Sequence, residues 1–120
     1  MPNVDLGSDF ESNFVSDYLS SDHRRLDVLF ESLLVSIRNE KPIESQLSLF
    51  HLFKNGLLKH IYWEESYLFP LFERHTGMTQ GPTMVMMAEH KEMQALLESI
   101  EFAAIEAVDE EMLLTLADML

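Results

Sequence analysis

The stretch that decides how this chain folds reads HIYWEE, from His60 to Glu65. It places a His-x-x-x-Glu pair, His60 and Glu64, within a strongly helical segment. Residues four apart on a helix lie one above the other on the same face, so this imidazole and this carboxylate point to one spot. A metal ion bound inside a helical bundle requires such a pair from one of the helices.

Composition and charge describe a small, acidic globular domain. The 120 residues are enough for one domain with a modest core, and cysteine is absent, which excludes thiolate metal sites. Eight basic residues against 21 acidic ones give a net charge of −13, so we expect neither nucleic acid nor a membrane as a partner. Because no signal-peptide pattern and no bilayer-spanning apolar run occur, the sequence predicts a cytoplasmic protein.

Helical periodicity continues through the whole chain, and the few glycines and prolines divide it into segments. We predict an all-α fold, an antiparallel up-down four-helix bundle at residues 16–120, preceded by an N-terminal arm at residues 1–15. The helices are predicted at about residues 16–39, 43–74 and 82–106, with a truncated fourth helix starting at 109–120. Pro70 predicts a kink or an early end of the second helix, and Asp109 an N-cap for the fourth.

Three histidines, His23, His60 and His90, lie in the apolar stripes of three successive helices. In an antiparallel bundle with short turns, residues equally distant from a turn lie at the same level, and His23 and His60 are each about 18 residues from theirs. Glu64 and His90 lie about 10 and 8 residues from the next loop, which differ by less than one helical turn. The four side chains should meet in the core, where a metal ion best explains a buried carboxylate among imidazoles.

The remaining polar candidates are predicted to lie elsewhere. His51 falls on the opposite side of its helix from the predicted ligands, and His75 lies near the helix end. Glu65 points away from the site axis, where it can offer an outer hydrogen bond or be solvated. Tyr67 is expected to pack in the core, and Glu89 to lie on the surface.

The donor types narrow the choice of metal. Neutral imidazoles with a carboxylate suit iron, manganese or zinc. A glutamate inside a bundle can bridge two ions, which is how carboxylate-bridged di-iron sites are built. A single zinc ion needs only three or four ligands, so a single-zinc site remains an alternative.

Three segments carry a family signature. They read DHRRL from Asp22, HxxxEExxLFP from His60 and GPTxxMxxEH from Gly81. Together they resemble the successive motifs of the hemerythrin-like (HHE cation-binding) domain. The resemblance implies a four-helix bundle that holds a non-haem di-iron centre, with Glu64 as a bridging carboxylate. Carried over by position, the metal ligands would be His23, His60, Glu64 and His90.

Two departures from the family pattern affect the function that the resemblance implies. Met86 stands where oxygen-carrying hemerythrins have a histidine, which disfavours simple O2 transport. The fourth helix, which in the family brings a further histidine and a second bridging carboxylate, is expected to be truncated. The iron site would then be incomplete in one copy of the chain, and the bare apolar stripes would favour a homodimer.

The sequence therefore predicts a di-iron binding domain that senses or handles a diatomic ligand such as O2 or NO, or peroxide, or that stores or supplies iron. No nucleophile or general acid–base pair points to turnover, so a metal-binding or sensor protein is favoured over an enzyme. The alternative is a metal-free or single-zinc helical interaction module with a degenerate site.

Overall fold

The computed structural model describes residues 10–120, which contain helices and turns but no β-strand. The all-α bundle predicted from the sequence is confirmed. Five α-helices are joined by short connections, and a π-helical turn at Glu64–Leu68 links the second to the third. The α-helices are α1 (Phe10–Arg38), α2 (Ile43–Trp63), α3 (Phe69–Thr76), α4 (Pro82–Ala103) and α5 (Glu110–Ala117).

The first helix is longer than the sequence predicted. It begins at Phe10, six residues before position 16, and so takes in the second half of the proposed arm; residues 1–9 lie outside the described residues. At about 1.5 Å per residue, its 29 residues span roughly 43 Å, which accounts for most of the 49 Å length of the molecule. No helix within residues 10–120 combines the length and the apolar character needed to cross a membrane.

The second predicted helix is interrupted, although it does not end. Instead of a kink at Pro70, the chain widens into the π-helical turn, where the backbone N–H of Phe69 donates to the carbonyl of Glu64, five residues earlier. Pro70 has no N–H, and its ring would press on the carbonyl of Ser66 in a regular α-helix. A wider turn just before the proline accommodates the ring, and the helix then continues as α3.

The packing separates two apolar clusters along the bundle. α1 packs along α2, α2 contacts α4, and α4 contacts α5. The larger cluster fills the half of the bundle near the α1–α2 turn, and the smaller one lies around α3 and the start of α1. The larger comprises Leu26, Leu33, Leu34, Phe50, Phe53, Leu57, Ile61, Met93, Leu97, Ile100, Val108, Leu113 and Leu116, and the smaller comprises Val15, Leu19, Leu68, Phe69 and Leu71.

A buried glutamine ties two connections of the bundle together. Gln46 donates its Nε2 hydrogen to the carbonyl of Lys41 at 2.8 Å and accepts the backbone N–H of Val108 at 2.8 Å. α5 follows directly, and Asp109 caps it as predicted by accepting the N–H of Met112 at 3.0 Å. The irregular segment after α4, which ends at Ala103 rather than near residue 106, is thereby anchored to α2.

Candidate metal centre

Three of the four predicted ligands meet between the two apolar clusters. The Nε2 atom of His60 lies 3.8 Å from one carboxylate oxygen of Glu64, and the Nε2 atom of His90 lies 3.1 Å from the other. Their side chains are only 5–16% exposed. α2 and α4 therefore present two imidazole nitrogens to one carboxylate, at the common level that the sequence predicted for them.

His23 lies beside this group, but it does not point into it. Its ring centroid is 5.9 Å from that of His60, so it is at the predicted level. Its Nε2 atom instead faces the carboxylate of Asp27 at 3.6 Å, one turn along α1, and the side chain is 43% exposed. Met119 and Leu120 line the same cavity as His23.

The outer nitrogen of each buried imidazole is held by a carboxylate. Nδ1 of His60 donates to Asp22 Oδ2 at 2.9 Å, and Nδ1 of His90 donates to Glu65 Oε2 at 2.7 Å. A carboxylate at this position fixes the ring orientation and leaves Nε2 for a metal ion. The outer hydrogen bond proposed for Glu65 is thus present. The role of Asp22 was not predicted from the sequence. The sequence shows only an acidic residue directly before His23, at the same level of the bundle as His60.

The surroundings of His90 favour its charged form. Burial acts to lower its pKa, but hydrogen bonds and charge attraction from Glu64 and Glu65 outweigh burial, so the pKa of His90 is raised above its ordinary value. The ring also stacks on Phe69, with centroids 5.6 Å apart and planes inclined by 15°. Its orientation is therefore determined on three sides.

A cavity of about 80 Å³ is lined by His23, His60, Glu64 and His90. Aliphatic and thioether side chains form its walls, and the Glu89 side chain, expected at the surface and indeed exposed, reaches its rim. Met86 lines both this cavity and a wider groove on the side of His23. The walls are formed by Leu57, Ile61, Met86, Met93, Met119 and Leu120.

The three sequence motifs of this chain supply the residues of this centre. The sequence matches the hemerythrin HHE cation-binding domain over residues 15–120. The chain belongs to the hemerythrin HHE cation-binding family. It matches no curated protein and no solved structure at a significant level.

The donor types of this hemerythrin-family domain suit a cation, but their present arrangement does not surround one. Within residues 10–120, no group of three or more His, Asp or Glu side chains is arranged to hold a metal ion as it stands. The physical reason is that Nε2 of His90 is bonded to Glu64 itself, so the donors touch each other rather than surround a common point. The donor types and their directions suit a first-row metal, and small side-chain rotations would separate them.

The other histidines of the domain lie away from the centre, as the sequence predicted. His51 is half exposed and its Nε2 atom contacts Glu101 Oε1 at 2.7 Å, while His75 is exposed near the end of α3. The placement of Tyr67 in the core was wrong. It is 40% exposed and packs against Trp63 at 4.6 Å, because the π-helical turn shifts the register and gives Leu68 the buried position.

Proposed function

We propose that this domain binds iron through His60, Glu64 and His90, with His23 as a fourth ligand once its side chain rotates inward. One observation carries the proposal: the Nε2 atoms of two buried imidazoles converge on one glutamate while carboxylates hold both Nδ1 atoms. Such a pre-oriented pair of histidines is typical of metal sites, and a bundle glutamate is able to bridge two ions. The centre would accordingly be a di-iron site when its ligand set is complete.

The proposed role is to sense or handle O2, NO or peroxide, or to store or supply iron. Bound iron would supply reversible coordination of a small ligand and one-electron exchange between Fe(II) and Fe(III). The protein would contribute the orientation of His60 and His90 and a small, mostly apolar chamber. At about 80 Å³ the chamber has room for a metal ion with a diatomic ligand, and a wider groove of about 690 Å³ also reaches His60 and Glu64.

A second candidate is a metal-free or single-zinc interaction module. Two observations favour it: His23 turns outward to Asp27, and no three His, Asp or Glu groups within the described part of the chain form a ready cation site. Two imidazoles and one carboxylate would still satisfy three positions of a tetrahedral zinc ion. The homodimer expected from the sequence stays a prediction under either function.

Metal content per chain separates these candidates. The protein is purified without chelators, its mass is confirmed, and it is then titrated anaerobically with ferrous iron and, separately, with zinc. About two irons per chain support the di-iron proposal, one zinc and no iron supports the zinc alternative, and no metal at all supports the interaction module. His60→Ala should abolish binding, whereas His51→Ala, on the opposite side of α2, is the matched control and should bind as wild type.

A further inference from the structure

The side of His60 that faces away from Glu64 is held by a chain of contacts. Asp22 is only 9% exposed and uses its two oxygens differently. Oδ2 accepts the Nδ1 hydrogen of His60 at 2.9 Å, whereas Oδ1 accepts hydrogen bonds from Nε and Nη2 of Arg25 at 3.0 and 2.9 Å. A carboxylate fixed on one oxygen by a planar guanidinium keeps the other oxygen in a single orientation.

A glycine on the neighbouring helix makes room for this guanidinium. Gly56 is buried on α2, one turn before His60, where glycine is otherwise unfavourable in a helix interior. A Cβ atom at this position would lie 3.0 Å from Nη2 of Arg25 and 2.8 Å from Cδ2 of Leu26. Either contact is too short, so any larger residue here would displace the ends of those two side chains. The missing side chain therefore allows the guanidinium to lie against α2.

We propose that Gly56, Arg25 and Asp22 are positioning residues that keep His60 protonated on Nδ1, with Nε2 bare and directed at Glu64. A neutral imidazole carries its hydrogen on one nitrogen only, and a hydrogen on Nε2 would block metal coordination there. The proposed protonation of His60 on Nδ1 in the metal-free chain does not depend on the proposed function. Its consequence for metal affinity rests on the proposed function.

The tautomer of His60 tests the positioning directly, without any metal. Long-range 1H–15N correlation spectra of the labelled, metal-free protein are recorded at pH 8.5, well above the ordinary imidazole pKa of about 6.5. Wild type should show His60 with its hydrogen on Nδ1. Asp22→Ala and Arg25→Ala should shift the population toward Nε2 protonation, and Gly56→Ala should do so less. The control is Arg24→Ala, an exposed neighbour with no ion pair within residues 10–120, which should leave the spectrum unchanged.

Zinc affinity, measured by competition with a chelating dye, is the second readout. Asp22→Ala should bind zinc about 10–100-fold more weakly than wild type, since outer carboxylates typically have effects of this size. A His60 that stays protonated on Nδ1 in both Asp22→Ala and Arg25→Ala overturns the proposal, whatever the metal result. Arg25 is half exposed, so its variant remains informative even if the Asp22 variant does not fold. A tautomer shift without metal binding in wild type supports the positioning and refutes the proposed function.

Discussion

Replacing Glu64 by glutamine should remove most of the stabilisation that a metal ion gives this domain. Glu64 is the only side chain in the described part of the chain that contacts both inner histidine nitrogens, at 3.8 and 3.1 Å. Glutamine keeps the shape and the acceptor oxygen, but it loses the charge that makes a carboxylate a good ligand and bridge. The metal-free protein should therefore fold, and the effect should appear when metal is added.

The size of the expected Tm change follows from the linkage between iron binding and folding. Ferrous iron at one hundred times its Kd stabilises the native state by about 2.7 kcal/mol. For a domain of this size that corresponds to a Tm increase of roughly 8–16 °C. If Glu64→Gln weakens binding one-hundredfold, the same concentration contributes only RT ln 2, about 0.4 kcal/mol. The increase should then shrink to roughly 1–2 °C.

The assay is the difference in Tm with and without ferrous iron, measured anaerobically for each variant, so that any loss of stability in the metal-free state cancels. Glu98→Gln, an exposed position on α4, is the matched control, because a chain with a net charge of −13 also attracts cations non-specifically. An equal Tm increase in wild type and in Glu64→Gln, with the same metal stoichiometry, would refute the ligand role of Glu64.

Three further changes test one contact at the site and two contacts elsewhere in the bundle. Glu65→Gln should weaken metal binding about 10–100-fold in a calorimetric titration, because the carboxylate that orients His90 is lost. Glu101→Gln should cost about 0.5 kcal/mol in urea unfolding at pH 7. Hydrogen bonds from Lys54 and, to a smaller extent, His51 lower the pKa of Glu101. The stability cost of the substitution should therefore fade as the pH drops below 4.5. Gln46→Ala should cost about 1–3 kcal/mol in the same assay, since the buried N–H of Val108 loses its acceptor.

Each of these predictions has an outcome that would contradict it. Unchanged affinity in Glu65→Gln, compared with the exposed Glu92→Gln, would show that the outer carboxylate does not matter. A stability loss in Glu101→Gln that does not decrease at all as the pH falls below 4.5 would exclude the ion pair as its cause. A Gln46→Ala variant as stable as the exposed control Ser48→Ala would mean that water replaces the lost acceptor.

Helix spacing predicted the level of the site well, because the rise per residue is nearly constant along straight antiparallel helices. It brought His60, Glu64 and His90 together correctly. It did not predict the rotation of His23, since a half-exposed imidazole has several rotamers open to it and here faces Asp27, one turn along the same helix.

The carboxylates that bind the outer histidine nitrogens show the same limit of prediction from helix spacing. For Glu65 the sequence left an outer hydrogen bond and a solvated side chain as alternatives, and only the structure shows its Oε2 atom 2.7 Å from Nδ1 of His90. The π-helical turn begins at Glu64 and rotates successive residues by a smaller angle than the regular α-helix on which the sequence prediction was based. Pro70 signalled a disturbance, but not its type or its position. Tyr67 was misplaced for the same reason.

The π-helical turn makes this segment sensitive to its length rather than to its composition. Such a turn is equivalent to one residue inserted into an α-helix, so losing a residue here would restore regular α-helical bonding. Phe69 would then stand four residues after Glu64 and keep its register, whereas the residues between them would be repositioned and the ring of Pro70 would press on the carbonyl of Glu65. Ser66 is exposed and should accept nearly any substitution with iron binding intact, whereas its deletion should weaken binding because it moves Glu65, which orients His90. Insertions and deletions, more than point changes, should therefore be the mutations that this part of the chain does not tolerate.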